Sequence, residues 1–365
     1  MTDKPLRAGI IGLGIGAAHA KGYGGDYGAE LVALCDLDDT RLRLLASEYG
    51  VKPEHCYHDY RQMLAEAKLD IVSVCLPNAM HAEATIAALE AGAHVLCEKP
   101  MATSVAQAQQ MMAAAERSQR QLMIAYNHRY RADVMWIRRM IKDGQLGQIY
   151  HAHAAWRRET GIPGSGWFGN KQMSGGGALI DLGVHVLDMT MWLLGFPGVK
   201  TVSGDTHMVF GQRGLKTWGR RPGQPVETAF DVDDGAVGFI RLGDGSNMVL
   251  EATWAEHRQP QDDLIRVELQ GTEGTVVLNI ANYRRDDTLR MYKEMEGEPV
   301  TVIPAIRWEG PHGHEALIMD ILSAMRAGLP MPTDGAQGLM AVHVLEAMYR
   351  SSHDGREIEL NVGAE

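Results

Sequence analysis

The sequence predicts an α/β fold in two parts: an N-terminal doubly wound parallel sheet, then a C-terminal α+β domain with an open, mostly antiparallel sheet. Three observations carry this. Short β-branched runs alternate with helical patterns through residues 7–125, the signature of a parallel sheet with helices on both faces. The texture changes after Asn127. From Lys200 to Val302 strand follows strand, with turn signals such as GDGS at 243–246 and GTEGT at 271–275 between them, as in an antiparallel sheet. A length of 365 residues also suits two domains, and the boundary is expected at 1–126 and 127–365.

In the first part, strands are expected at 7–11, 30–35, 70–75, 93–97 and 122–125. They read as continuous apolar runs, which fits a sheet covered on both faces. Helices are expected at 16–25, 39–49, 60–67, 82–91 and 104–117. In the second part a helix is expected at 132–142 and a strand at 149–156. The loop RRETGIPGSGWFGNKQM and a further helix come next. Helices at 315–327 and 335–351 and a strand at 358–360 close the chain. The stretch 211–225, rich in Gly, Pro and Arg, reads as an exposed loop.

Composition narrows the functional classes. The chain is 45% hydrophobic, with a net charge of −11 and no Lys/Arg run, so a nucleic-acid partner is not expected. Its apolar stretches fall short of the about 20 residues a membrane helix needs. The N-terminus runs straight into the first strand without a signal-type apolar region, and a cytoplasmic location is expected. Cys35, Cys75 and Cys97 sit in or end apolar runs and read as buried thiols. No CxxC occurs. No metal site is expected; His312 and His314, in HGH, are the nearest approach to a ligand spacing.

The segment SGGGALIDLGVHVLD, 174–188, concentrates chemistry. On a helix Asp181, His185 and Asp188 stand at i, i+4 and i+7 and share one face among apolar neighbours. Such groups must be hydrogen-bonded or cost several kcal/mol. They form either a satisfied polar network in the core or a site of proton transfer.

A dinucleotide site is read from GLGIGAAH, 12–19. Gly12, Gly14 and Ala17 match G-x-G-x-x-G/A between a strand and a helix. The first glycine allows the tight turn, the second lets backbone approach a pyrophosphate, and the third, small position packs helix on strand. Asp36 ends the next strand, 24 residues after Gly12, where an acid accepts from ribose hydroxyls and repels a 2′-phosphate. NAD is therefore expected over NADP. The strand ends CLPNAMH (75–81) and CEKPMATS (97–104) lie where open α/β sheets bind ligands. The full set expected to bind the cofactor is Gly12, Gly14, Ile15, Gly16, Asp36, Leu76, Pro77, Asn78, His81, Glu98, Lys99 and Asn127.

With these residues in place, the sequence resembles the Gfo/Idh/MocA oxidoreductases, the glucose-fructose oxidoreductase and inositol dehydrogenase family. The resemblance spans nearly the whole chain. It rests on GLGIGAAH, Asp36, PNAMH, Glu98-Lys99-Pro100, Asn127-His128-Arg129, GGGALIDLGVHVLD and the C-terminal GLMAVHVLEAMYRSSHDGREIEL. It implies a Rossmann domain, bound NAD(H) or NADP(H), and a C-terminal sheet that commonly serves as an oligomer interface, so a homodimer or homotetramer is expected. It also implies catalysis by Lys99, Asp181 and His185. One departure is visible: the glycines stand at 12, 14 and 16 and His19 comes one residue early, as a shortened turn would explain.

For a hydride moved from a carbinol carbon, a base must take the hydroxyl proton. His185 is assigned that exchange, Lys99 polarises the same oxygen and Asp181 orients the substrate; the first two roles could be swapped. The expected substrate is a sugar, sugar derivative or cyclitol. Its candidate contacts are His128, Arg129, Trp156, Arg157, Arg158, Trp167 and Lys171, with Asp181 and His185; Asn170 stands in the same loop. An aromatic face suits the C–H side of a pyranose and a guanidinium suits paired hydroxyls, though each Trp could equally be core and each Arg a solvated face. His257, His312 and His314 are weaker candidates. The alternative is a glycosidase that holds NAD tightly and oxidises, eliminates and reduces in one cycle. A third reading is a sensor that binds without turnover.

Overall fold

The computed structural model describes residues 4–25, 27–164, 166–218, 230–259 and 262–363. The chain forms two compact units, Met1–Tyr130 with Pro311–Val342, and Arg131–Gly310 with His343–Glu365.

The first unit alternates strand and helix as expected: β1 Leu6–Ile11, α1 Gly16–Gly24, β2 Ala29–Cys35, α2 Asp39–Tyr49, β3 Cys56–Tyr57, α3 Tyr60–Glu66, β4 Ile71–Val74, α4 His81–Glu90, β5 His94–Cys97, α5 Val105–Ser118 and β6 Leu122–Ile124. The six strands are all parallel, in the order β3-β2-β1-β4-β5-β6. The order reverses beside β1, which opens a crevice off the strands' carboxyl ends. Local chemistry sets the helix ends. Asp38 accepts from the Thr40 and Arg41 amides to start α2, and Gly50 closes it with φ +70°. Ser104 caps α5 in the same way. The two-residue β3 is too short to leave a periodic signal.

The later helix α9, His314–Ala327, belongs to this first unit. Leu317, Ile318, Ile321 and Leu322 are fully buried in the core shared with Ile10, Leu34 and Ile71. Each is worth about 1.5–3 kcal/mol of burial, which explains why this segment leaves its sequence neighbours. A Cβ on Gly22 of α1 would stand 2.6 Å from Ile318 Cβ, so a glycine lets α1 and α9 meet closely. A single cut at 126/127 does not anticipate this return.

The second unit holds α6 Ala132–Lys142, β7 Ile149–Arg158, β8 Ile162–Pro163, α7 Lys171–Ser174, α8 Val184–Leu194, β9 Val199–His207, β10 Thr217–Trp218, β11 Gly235–Leu242, β12 Asn247–Thr253, β13 Asp263–Gly271, β14 Thr275–Ala281, β15 Leu289–Met295, β16 Glu298–Val302 and β17 Ile358–Val362. The helix α10, Gly335–Asp354, belongs to the first unit through Val342 and to the second from His343. Nine strands form one sheet, β16-β15-β14-β13-β7-β12-β11-β9-β17, antiparallel except where β7 meets β12. Ala152, Ala154 and Trp156 of β7 are buried on one face, against which α8 packs.

Two expectations need correction here. The stretch 211–225 is not simply an exposed loop: Gly211 is buried and Thr217–Trp218 pairs with Ile162–Pro163, while residues 219–225 lie outside the described residues. The segment Lys171–Leu194 is long and apolar enough to cross a membrane, but 78% of its most apolar 18-residue window is buried inside the protein. It belongs to the core of the second unit, where it is enclosed.

Candidate active site

The cofactor half lies on the first unit. Gly12 has φ +87°, and a Cβ there would stand 2.4 Å from the Cys75 carbonyl oxygen, so no other residue fits the turn after β1. Gly16 opens α1, where a Cβ would meet Ile10 Cγ2 at 2.7 Å. The tight helix–strand packing therefore falls to Gly16 rather than Ala17, which is half-buried; this is the shortened turn. Gly14 and Ile15 are exposed at its tip, and the Arg41 guanidinium would lie 3.6 Å from a Cβ on Gly14. Asp36 faces the same turn. One of its carboxylate oxygens accepts the Leu13 amide at 2.6 Å and the other the Asp38 amide at 2.8 Å.

Leu76, Pro77 and Asn78 follow β4, with the Leu76 side chain against Gly12. Asn127, after β6, keeps a buried carboxamide oxygen with no hydrogen-bond partner among the described residues. A glycine turn closed to any side chain, an exposed helix start, an anchored carboxylate and an orphaned acceptor all fit a dinucleotide, from its pyrophosphate to its carboxamide.

Three expected contacts are occupied otherwise. His81 is fully buried between the carbonyl oxygens of Pro100 and Leu76, each 2.8 Å away. Burial holds its pKa below the ordinary imidazole value. It braces the two strand-end turns and offers no free edge. Glu98 is buried, with its carboxylate turned to His19 and His314. Arg129, expected to touch substrate, is 1% exposed. Its guanidinium donates to Gln337 Oε1 at 2.6 Å and to the Pro332 carbonyl, and lies over the Tyr126 ring. It ties the segment after β6 to the chain before α10. Lys99 and His128 are half-buried at the ends of β5 and β6.

The second unit assembles a different set. Every residue from Gly176 to Met191 is buried except Asp181 and His185. Asp188, expected on the same face, is buried with the rest. Asp181 stands in a π-helical turn, Leu179–Gly183, of a kind that recurs at functional sites; His185 and Asp188 follow it on α8, and of these two only His185 stays accessible.

The glycine run before it is a packing requirement. A Cβ on Gly177 would fall 1.7 Å from the Asp233 carbonyl oxygen. Asp233 also accepts from the Gly177 and Leu179 amides and from the Tyr349 hydroxyl, so it fixes where this helix begins.

Trp254 is fully buried and donates Nε1–H to Asp181 Oδ2 at 2.9 Å. The Trp156 ring stands 5.5 Å from that of His185. Trp156 and Arg158, two apart on β7, share a face and both donate to Asp263, each at 2.8 Å. The Arg158 guanidinium also donates to the Tyr283 hydroxyl at 2.6 Å and carries a favourable interaction with Asp181.

Arg157 points the other way. Period two sends it to the opposite face, where it pairs with Glu256 and Glu251; it is not a neighbour of Asp181. Trp156 is 3% exposed and backs His185 rather than offering a platform. The exposed aromatics beside Arg158 are Tyr283, 51% accessible, and Trp218, 68% accessible, whose ring lies 5.9 Å from the guanidinium. Trp167 stacks on Phe168 at 4.1 Å. Lys171 and Asn170 are exposed at the start of α7, where Asn170 serves as the cap.

Sequence reading missed Trp218, Trp254, Asp263 and Tyr283. The last three come from strands and turns some 70–130 residues away from their partners, and the β7–β13 register, Arg158 opposite Asp263, brings that pair together. No local motif marks them.

Residues 6–126 match the model of an oxidoreductase family with an NAD-binding Rossmann fold, and residues 134–277 match the GFO/IDH/MocA C-terminal domain. The chain belongs to the GFO/IDH/MocA oxidoreductase family. It is 34% identical over 362 residues to D-glucoside 3-dehydrogenase of Escherichia coli (strain K12), covering 99% of both chains. It is 32% identical over 249 residues to levoglucosan dehydrogenase of Pseudarthrobacter phenanthrenivorans (strain DSM 18606 / JCM 16027 / LMG 23796 / Sphe3), covering 65% of this chain and 62% of that one. Among solved structures, GenD2 from gentamicin A biosynthesis in complex with NAD superposes with a TM-score of 0.78 at 27% identity, covering 98% and 97%. As a GFO/IDH/MocA member the protein is an oxidoreductase with an NAD-binding Rossmann domain, and the named relatives are dehydrogenases, which does not favour the glycosidase alternative.

Trp254→Phe keeps an aromatic ring but removes the donor to Asp181 and leaves a small cavity. It is expected to cost about 2–4 kcal/mol of stability and to lower kcat, read by thermal melting and steady-state rates on the same sample.

Proposed function

We propose that the protein oxidises a hydroxyl of a sugar, sugar derivative or cyclitol with NAD, using Lys99, Asp181 and His185. The observation that carries this is the pair Asp181 and His185, the two accessible residues of the otherwise buried stretch 176–191. Beside them stand an arginine, a tyrosine and a tryptophan able to grip hydroxyls and cover a ring face. Bound NAD supplies the hydride acceptor. His185, backed by the Trp156 ring, exchanges the hydroxyl proton, and Lys99 hydrogen-bonds the same oxygen. Asp181, held by Trp254, accepts from a substrate hydroxyl. Arg158, Tyr283 and Trp218 define substrate choice, with Trp167 and Lys171 on the neighbouring loop.

Asp36 favours NAD over NADP, since its anchored carboxylate repels a 2′-phosphate. Asp36→Ala is expected to lower the ratio of kcat/KM for NAD over NADP by about 10–100-fold, the worth of one to two charge-assisted bonds, measured with both cofactors. We place the protein in the cytoplasm, since its four cysteines form no disulfide. Val237, Phe239 and Val249 sit on the sheet face away from α8, and we assign that face to self-association.

The test is a panel of sugars, cyclitols and glycosides with NAD and with NADP, read for NADH and for released aglycone. NADH formation in step with substrate consumption is the expected result. Aglycone release without NADH accumulation would favour the glycosidase cycle instead, and saturable binding with neither product would leave a sensor.

A further inference from the structure

His19, Glu98 and His314 come from three separate elements of the first unit: α1, the end of β5 and the start of α9. The Nε2 atoms of both histidines lie 2.9 Å from the same Glu98 oxygen, Oε1. All three ligating atoms lie within 4.8 Å of one another. We propose that this triad binds a divalent transition metal of the zinc class, a site that the redox reaction does not use.

Two imidazole nitrogens and one carboxylate oxygen are a donor set zinc accepts, and three protein ligands leave a fourth position for water. Ligands at about 2.0–2.1 Å around a tetrahedral ion stand about 3.3 Å apart, so each histidine–carboxylate edge needs to open by a few tenths of an ångström, while the two imidazole nitrogens, within 4.8 Å of each other, draw in on the ion.

The second shell is already built. His19 Nδ1 lies 2.9 Å from Ser73 Oγ, which lies 2.8 Å from the Tyr23 hydroxyl, all of them buried. A metal-bound imidazole donates its other N–H in this way. Because either hydroxyl can donate to the other, Ser73 can accept from His19 Nδ1–H without losing Tyr23. The proton can therefore leave Nε2 for Nδ1 and free Nε2 as a ligand. The charge count points the same way. Glu98 is buried, and among the described residues its ion-pair partners are these two imidazoles. A divalent ion held by the three ligating atoms would place a cation directly on the buried carboxylate. His314 keeps 15% of its side chain accessible, which gives an ion its entry. Its neighbour in the HGH motif, His312, is not part of the cluster.

The experiment uses the untagged full chain, treated with chelator, dialysed and titrated with Co2+. One Co2+ per chain with the visible d–d absorption of a tetrahedral site is expected, lost on adding Zn2+. His314→Ala is expected to abolish the band. Ser73→Ala, which leaves all three ligands in place, is expected to weaken binding about 10–100-fold, and His312→Ala to leave it unchanged. If His314→Ala fails to fold, Ser73→Ala carries the test. The proposal is overturned if the folded wild type gives no band, which leaves a hydrogen-bonded clamp, or if the Ser73 and His314 variants bind Co2+ as the wild type does. Either outcome is independent of turnover on sugars.

Discussion

His185→Ala is expected to lower kcat by about 10²–10⁴-fold, the range that a positioned proton donor or acceptor contributes, while NAD binding is unchanged. In the stretch 176–191 only Asp181 and His185 reach solvent, and the imidazole is held against the Trp156 ring, whose own Nε1–H is fixed by Asp263. Lys99→Ala should cost a similar factor. Calorimetric titration with NAD checks that both variants retain the cofactor.

Gly12→Ala is expected to weaken NAD binding by about 10–100-fold and to destabilise the protein by about 1–3 kcal/mol. Two separate costs add. The residue occupies φ +87°, a region side chains rarely adopt, and its new methyl would meet the Cys75 carbonyl oxygen at 2.4 Å. Relief moves the end of β4, and with it Leu76 and Pro77. Gly14→Ala is the control within the same motif. Its Cβ meets only the far end of the exposed Arg41 side chain, at 3.6 Å, so the fold is expected to tolerate it. Equal losses of stability in the two variants would show that the turn does not work as described.

Much of the first unit was legible because its signals are local. Asp38 and Gly50 bracket the helix Asp39–Tyr49, and apolar runs mark the parallel strands. What was not legible depends on distance or on phase. Nothing in residues 314–327 says that Leu317 and Ile318 pack on α1 rather than on the nearer sheet. With apolar residues on every side in 179–189, the pattern does not tell which polar position faces a neighbouring element, so Asp188 was placed on the open face when it is buried. Along β7 one residue decides the face, and Arg157 and Arg158 are alike in sequence although they point apart. Arg129 stands in a polar run yet is consumed by Gln337 and Tyr126. Trp254, Asp263 and Tyr283 reach Asp181, Trp156 and Arg158 only through sheet register, which no spacing in the chain encodes.

The most direct measurement is single-turnover NADH formation, followed by absorbance, with enzyme in excess over a reactive sugar or cyclitol. The wild type is expected to form one NADH per substrate oxidised, with the rate falling at least about 100-fold in both Lys99→Ala and His185→Ala at unchanged NAD occupancy. Full-rate NADH formation in either variant would contradict it.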